Sequence, residues 1–126
     1  MSGGFSPRIE YSEYGIFKGR EWTVETVSAA DAEIEALPVK LRARLVRLLE
    51  AVENVGLEAL REPHVKHLDG KLWELRVRSD EGIARGIYVP AAGRRVVVLH
   101  VFVKKTRKTP LRALATARER MKQVMP

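Results

Sequence analysis

The chain has 126 residues, carries a formal net charge of +7 and contains no cysteine. That length suits one hydrophobic core, and the lack of cysteine excludes disulfides, thiolate catalysis and Cys-based zinc sites while fitting a cytoplasmic protein. No apolar run approaches the ~18 residues of a membrane span, and Met1–Pro7 lacks the basic and apolar regions of a secretory signal, so neither membrane association nor export is expected.

The charge is spread unevenly along the chain. Residues 1–60 hold 7 Lys/Arg against 10 Asp/Glu, whereas residues 61–126 hold 16 against 6. Such asymmetry points to a polyanion-binding face drawn from the second half, the alternative being a solvated basic surface.

In chain order, residues 1–20 are rich in Gly, Ser and Tyr and read as an irregular extension, and residues 21–126 read as one domain. Glu21–Val27 alternates as a strand does, with Trp22, Val24 and Thr26 on one face. Ser28-Ala29-Ala30-Asp31 resembles a capped helix start, and that helix must stop before Pro38, which can open the next. From Val39 to Val55, Leu41, Leu45, Leu48, Leu49 and Val52 recur at helical spacing, and Gly56 is a C-terminal stop. Arg42, Arg44 and Arg47 fall off this stripe and read as a solvated face. Glu62–Lys71 reads as a basic loop closed by the Asp69-Gly70 turn signal. Three strands follow, Leu72–Arg78, Ile83–Val89 and Arg95–Val103, joined by turns short enough for hairpins. Thr109-Pro110 then offers a cap for a helix to about Val124, with Leu111, Leu114, Ala117 and Met121 on one side. The order β-α-α-β-β-β-α is that of an α+β fold, a twisted, mostly antiparallel four-stranded sheet with the helices packed against it.

The acids offer no paired-carboxylate or metal-binding pattern, and His64, His67 and His100 lack the company a zinc site needs, so no metal or cofactor is expected. Gly-rich phosphate loops and nucleophile elbows are likewise missing. What remains is basic. Arg76 and Arg78 share the polar face of the Leu72–Arg78 strand. Arg85 is odder, being in phase with Ile83, Ile87 and Val89; it must either pair with an acid such as Glu74 or open into a cleft. Lys104-Lys105-Thr106-Arg107-Lys108 follows the last strand directly. His100, among valines, reads as a satisfied core residue or as an acid or base.

The runs Lys66-His67-Leu68, Gly70-Lys71-Leu72-Trp73-Glu74-Leu75-Arg76-Val77, Ala84-Arg85-Gly86-Ile87-Tyr88 and Val98–Pro110 together resemble the HigB-like, phage Gp49-like branch of the RelE/ParE toxin superfamily. The resemblance covers Lys66–Met121 well, the helical pair loosely, and residues 1–20 not at all. It implies a RelE-like fold and a toxin of a type II toxin–antitoxin pair that cleaves mRNA in the ribosomal A site without a metal. It also implies a co-encoded antitoxin, often a helix-turn-helix protein, through which alone operator DNA is contacted.

In the residues of this chain, the resemblance makes Arg76 the ligand of the scissile phosphate and places Arg85 in the same concave site. It makes Lys66, His67 and Lys104 candidates for proton transfer and backbone contact, with Arg78, Lys71, Lys105, Arg107 and Lys108 as further RNA-binding residues. Arg suits a developing phosphorane because its planar donors match phosphate oxygens. Lys or His can move protons once neighbouring cations depress its pKa. One departure stands out: RelE carries an active-site Tyr near its C-terminus, and no Tyr follows Tyr88 here. The proton-transfer role is therefore open to His67 or His100. The competing readings are a ParE-like binding poison of DNA gyrase and a basic ribosome- or RNA-binding module without turnover.

Overall fold

A computed structural model of the chain describes residues 22–61, 64–105 and 107–125; the N-terminal extension expected over residues 1–20 lies outside them. Strand β1 (Thr23–Thr26) leads into helices α1 (Ser28–Glu35) and α2 (Val39–Val55), and a single 3₁₀ turn spans Leu57–Ala59. Strands β2 (Val65–Asp69), β3 (Leu72–Ser79), β4 (Gly82–Ala91) and β5 (Arg95–Val103) come next, and helix α3 (Leu111–Val124) follows. The sheet order is β1-β5-β4-β3-β2, with β1 parallel to β5 and the remaining pairs antiparallel.

The α+β class holds, but the sheet has five strands rather than four. The extra strand is β2, inside the segment expected to be a basic loop. Only Val65 of its five residues is buried, so it lacks the alternation that betrays a strand in sequence. Its pairing with β3 forms it instead, Val65 lying opposite Leu75 and His67 opposite Trp73.

Two apolar layers flank the sheet. On one face the stripe Leu41, Leu45, Leu49 and Val52 of α2 packs with Ala30 and Ile34 of α1 against Val24, Leu75, Val77, Tyr88, Val96 and Val98. Each fully buried Leu on that stripe contributes about 1.5–3 kcal/mol. On the other face Ala113 and Ala117 of α3 lie against Leu72, Ile87, Val89, Val97 and Leu99. The continuous apolar run of β5 is thus explained, since both of its faces are covered. Leu111, expected on the packed side of α3, is instead 83% exposed, because the first turn of the helix overhangs the sheet.

Neither predicted helix cap forms. Ser28 is already helical and α1 has Val27 at its N-cap, while Thr26 hydrogen-bonds Asp31 through its hydroxyl. Pro110, not Thr109, occupies the N-cap of α3. Gly56 does end α2, at φ +89°, a region that side chains with a Cβ rarely enter.

Two glutamates close one side of the sheet. The Val24 amide donates to Glu53, which is 3% exposed. Beyond the end of β1, the Val101 amide on the edge of β5 donates to Glu33 of α1 at 2.9 Å. Glu33 also lies 3.0 Å from His100 Nδ1 and 2.9 Å from Arg120 Nη1, and Arg120 donates to the Leu99 carbonyl. This cluster sits at the β4–β5 register shift between Ile87 and Tyr88, so it ties α1, α3 and the irregular part of β5 together.

Candidate nucleic-acid interface

Cross-strand partners in a sheet share a face, so strand register decides which basic side chains can meet. Arg76 lies opposite Arg85, and Arg85 opposite Phe102, on the face that carries α3. The helix covers only part of that face; Arg76, Arg78 and Lys104 occupy the uncovered end. The Lys104 amide donates to the Ile83 carbonyl at 2.7 Å, which prolongs the β4–β5 pairing and holds Lys104 over the sheet. Partial burial and the neighbouring cations Arg85, Arg76 and Arg78 pull the Lys104 ammonium below its ordinary pKa, with Glu74 opposing.

Beside this cluster, a cavity of about 1010 Å³ opens between the end of β5, residues 104–110 and the start of α3. His100 and Phe102 line it, Lys104, Lys105, Lys108 and Arg112 surround it, and the exposed Leu111 also borders it. The arrangement combines cations, which attract phosphates, with an aromatic face that can stack on a base.

The family model for phage derived protein Gp49-like (DUF891) matches residues 32–122, from α1 almost to the end of α3. The chain belongs to the Gp49-like family. Among solved structures, it resembles free Escherichia coli toxin RelE, in a variant with two arginines replaced by alanine. The TM-score is 0.59 and the identity 18%, over 80% of this chain and 98% of that one. The Gp49-like chain therefore has the RelE fold, in line with the resemblance carried by its β3 and β5 motifs. Among curated proteins, none matches it in sequence.

Within this Gp49-like fold the sequence-derived candidates separate into groups. Arg76, Arg78 and Lys104 converge, with Lys105, Arg107 and Lys108 on the adjoining connection. Lys66 lies on the same face, opposite Glu74, exposed and one strand further out. Lys71 does not join them: it sits at the β2–β3 turn, five residues from Arg76, or about 16 Å along the strand. His67 is on the opposite face. Its ring meets Trp73 edge-on at 4.9 Å, and its Nε2 lies 2.7 Å from the Gly70 carbonyl. His100 borders the cavity but is held by Glu33 and stacked on Phe102 at 5.0 Å. Tyr88 is buried on the α2 face, where burial pushes its hydroxyl up to about 12.

Arg85 takes both courses open to it: it pairs with Glu74 and it also lines the cavity at the end of β5. It is 3% exposed, and its Nη1 lies 3.3 Å from Oε2 of Glu74, itself 2% exposed. The same nitrogen donates to the Thr109 hydroxyl at 3.1 Å, and Nη2 donates to the Arg107 carbonyl. Thr109 in turn donates to Glu74. Arg85 is thus largely buried at the margin of the cavity, where it fastens Arg107 and Thr109 to the sheet. Sequence reasoning missed Arg112 and Leu111 as cavity residues; the overhang of the first turn of α3, which places them there, leaves no periodic signal. Among the described residues no three His, Asp or Glu side chains gather as metal ligands, and no helix is long and apolar enough to cross a membrane.

Proposed function

We propose that the chain is the toxin of a type II toxin–antitoxin pair and acts in the cytoplasm as a ribosome-dependent mRNA endoribonuclease. The observation that carries this reading is the convergence of Arg76, Arg78 and Lys104 on the uncovered end of the sheet, with the Lys104 ammonium held below its ordinary pKa by desolvation and by its cationic neighbours. In the proposed reaction the RNA 2′-oxygen attacks the adjacent phosphorus and the bond to the 5′-oxygen breaks. The 2′-hydroxyl loses a proton and the departing 5′-oxygen gains one. Arg76 binds the phosphate, where charge accumulates. Lys104 is the group placed to exchange protons, since a lowered pKa brings it closer to the neutral range in which transfer is efficient. Arg78, Lys105, Arg107, Lys108 and Lys66 hold the flanking backbone, and Arg85 positions the 104–110 connection. His67 and Lys71 have no part in this scheme. A helix-turn-helix antitoxin would silence the toxin and carry any contact with operator DNA.

Mapping mRNA 5′ ends after induction tests the reading. Cuts should appear within translated codons and fall by about 10²–10³ in rate for Arg76→Ala. Replacing Arg78 with Gln should move a pH limb owed to Lys104 upward, because it removes one depressing cation. Intact transcripts accompanied by altered DNA topology would instead favour a gyrase poison and end the ribonuclease proposal.

A further inference from the structure

The cavity at the end of β5 contains more than the capture of a polyanion requires. Lys104, Lys105, Lys108 and Arg112 surround it, and among the described residues no Asp or Glu lines it. Cations of this kind suffice to hold phosphates. The lining adds a pair of rings, His100 and Phe102, whose centroids are 5.0 Å apart with the planes tilted by 30°. Glu33 lies 3.0 Å from His100 Nδ1 and fixes that ring against Phe102. Pro110, at the N-cap of α3, and the exposed Leu111 give the same lining further apolar surface.

Strand register sets the scale of this arrangement. Phe102 lies opposite Arg85 and Arg85 opposite Arg76, so Phe102 and Arg76 are two strands apart, about 10 Å. Lys104 follows Phe102 by two residues, about 7 Å along the chain. The rings thus stand one nucleotide's reach from the phosphate-binding cluster. A peptide adding itself as a strand is refused here, because the Val101 amide already donates to Glu33 and the Lys104 amide to the Ile83 carbonyl. A flat ring system needs neither amide, and the splayed bases of single-stranded RNA are bound by stacking on aromatic side chains.

We propose that this cavity is a base-stacking subsite for single-stranded RNA, in which Phe102, backed by His100, receives one base while Lys104, Lys105 and Arg112 hold the strand's phosphates. Stacking engages the face of a base and not its edge, so the subsite takes purines and pyrimidines alike. That the stacked nucleotide adjoins the scissile phosphate, and only that, rests on the ribonuclease reading.

The test titrates the full, isotope-labelled chain with 2′-O-methylated hexanucleotides, which cannot undergo 2′-oxygen attack. Hexa-adenylate and hexa-uridylate should both shift the amides of residues 100–105 and 111–113, with affinities within about tenfold of each other. Phe102→Leu keeps an apolar side chain in the lining and should weaken both at least about fivefold, the loss of one stacked base. An abasic strand of the same length should bind the parent and Phe102→Leu equally. Arg112→Glu, an exposed change that leaves the rings in place, should also weaken the hexamers at least about fivefold, since it reverses a charge facing phosphate; it serves alone if Phe102→Leu does not keep the parent's amide spectrum. Shifts elsewhere, unchanged affinity in either folded variant, binding confined to one base, or an abasic strand weakened as much as the hexamers by Phe102→Leu each overturns the proposal. So does free adenosine monophosphate binding as tightly as the hexamer, or an acidic peptide shifting these amides where the hexamers fail. Transcript cleavage is scored separately: its absence together with hexamer binding would remove the ribonuclease reading and leave the subsite standing. Where cleavage occurs, Phe102→Leu should slow it at least about fivefold without moving its pH profile, and an unchanged rate would overturn the placement beside the scissile phosphate.

Discussion

Replacing Glu74 with Gln tests whether the site is held in place by a buried ion pair. Arg85 and Glu74 are 3% and 2% exposed, so removing the carboxylate charge leaves a guanidinium in the interior that has lost its charged partner and keeps neutral ones such as the Thr109 hydroxyl and the Arg107 carbonyl. Removing one partner of a buried pair costs about 3–5 kcal/mol. The amide of Gln can still accept a hydrogen bond, which argues for the lower end, about 3 kcal/mol. For a domain of this length that lowers Tm by about 12 °C, at roughly 4 °C per kcal/mol. Urea unfolding followed by the fluorescence of Trp22 and Trp73 measures the loss, and both tryptophans pack on the opposite face of the sheet. The double change Glu74→Leu with Arg85→Met removes both charges and should cost less than the two single changes added together, because an apolar pair needs no charge compensation. A loss under about 1 kcal/mol for Glu74→Gln, or strict additivity in the double variant, would refute the reasoning.

Three further outcomes are expected. Glu33 is partly buried, which raises a carboxyl pKa, but hydrogen bonds from His100, Arg120 and the Val101 amide outweigh burial and hold it below its ordinary value of 4.5. Its stabilisation is therefore present above pH 4.5 and lost as the pH falls toward the depressed folded value. Urea midpoints at pH 7 and pH 4 should differ less in Glu33→Gln than in the parent. Gly56→Ala should destabilise by about 2–3 kcal/mol in the same assay, since the backbone sits at φ +89° and the new Cβ would meet Trp22 Cδ1 at 3.1 Å. Arg94 holds φ +57° in the β4–β5 connection, and Arg94→Val should be less stable than Arg94→Asn by about 1–2 kcal/mol, because Asn enters that region more easily while both variants lose the same arginine contacts.

The legible parts of the fold were those with a strong period. The Leu41–Val52 stripe, the alternating Trp73–Val77 strand and the valine run of β5 announced helix, half-buried strand and central strand, and each formed within a residue or two of its expected ends. Features set by pairing between distant segments were not legible. Strand β2 exists because β3 offers an edge, and the face on which His67 falls follows from that pairing, so its separation from Arg76 could not be read from three-residue spacing. The phase of Arg85 flagged it as anomalous, yet that it meets both Glu74 and the cavity margin depended on how residues 107–109 fold back. Thr109 looked like a helix cap and is instead part of that buried cluster. The solvated reading of Arg44 and Arg47 holds, since both are exposed; that they border a cavity beside the β3–β4 hairpin depends on a neighbour no helical period reveals.

The glutamates at Val24 and Val101 bear on how molecules of this kind can associate. With carboxylates on those two amides and α1 lying along β5, that side of the sheet has little to offer an incoming strand, and strand addition is left to the β2–β3 side. Sheets that can grow from both margins stack into open-ended ribbons. A sheet with one available margin can only close a pair about a two-fold axis or accept a single foreign strand. Capping those amides thus limits edge-to-edge growth to one partner, a useful property for a basic protein whose other sheet margin is unpaired among the described residues.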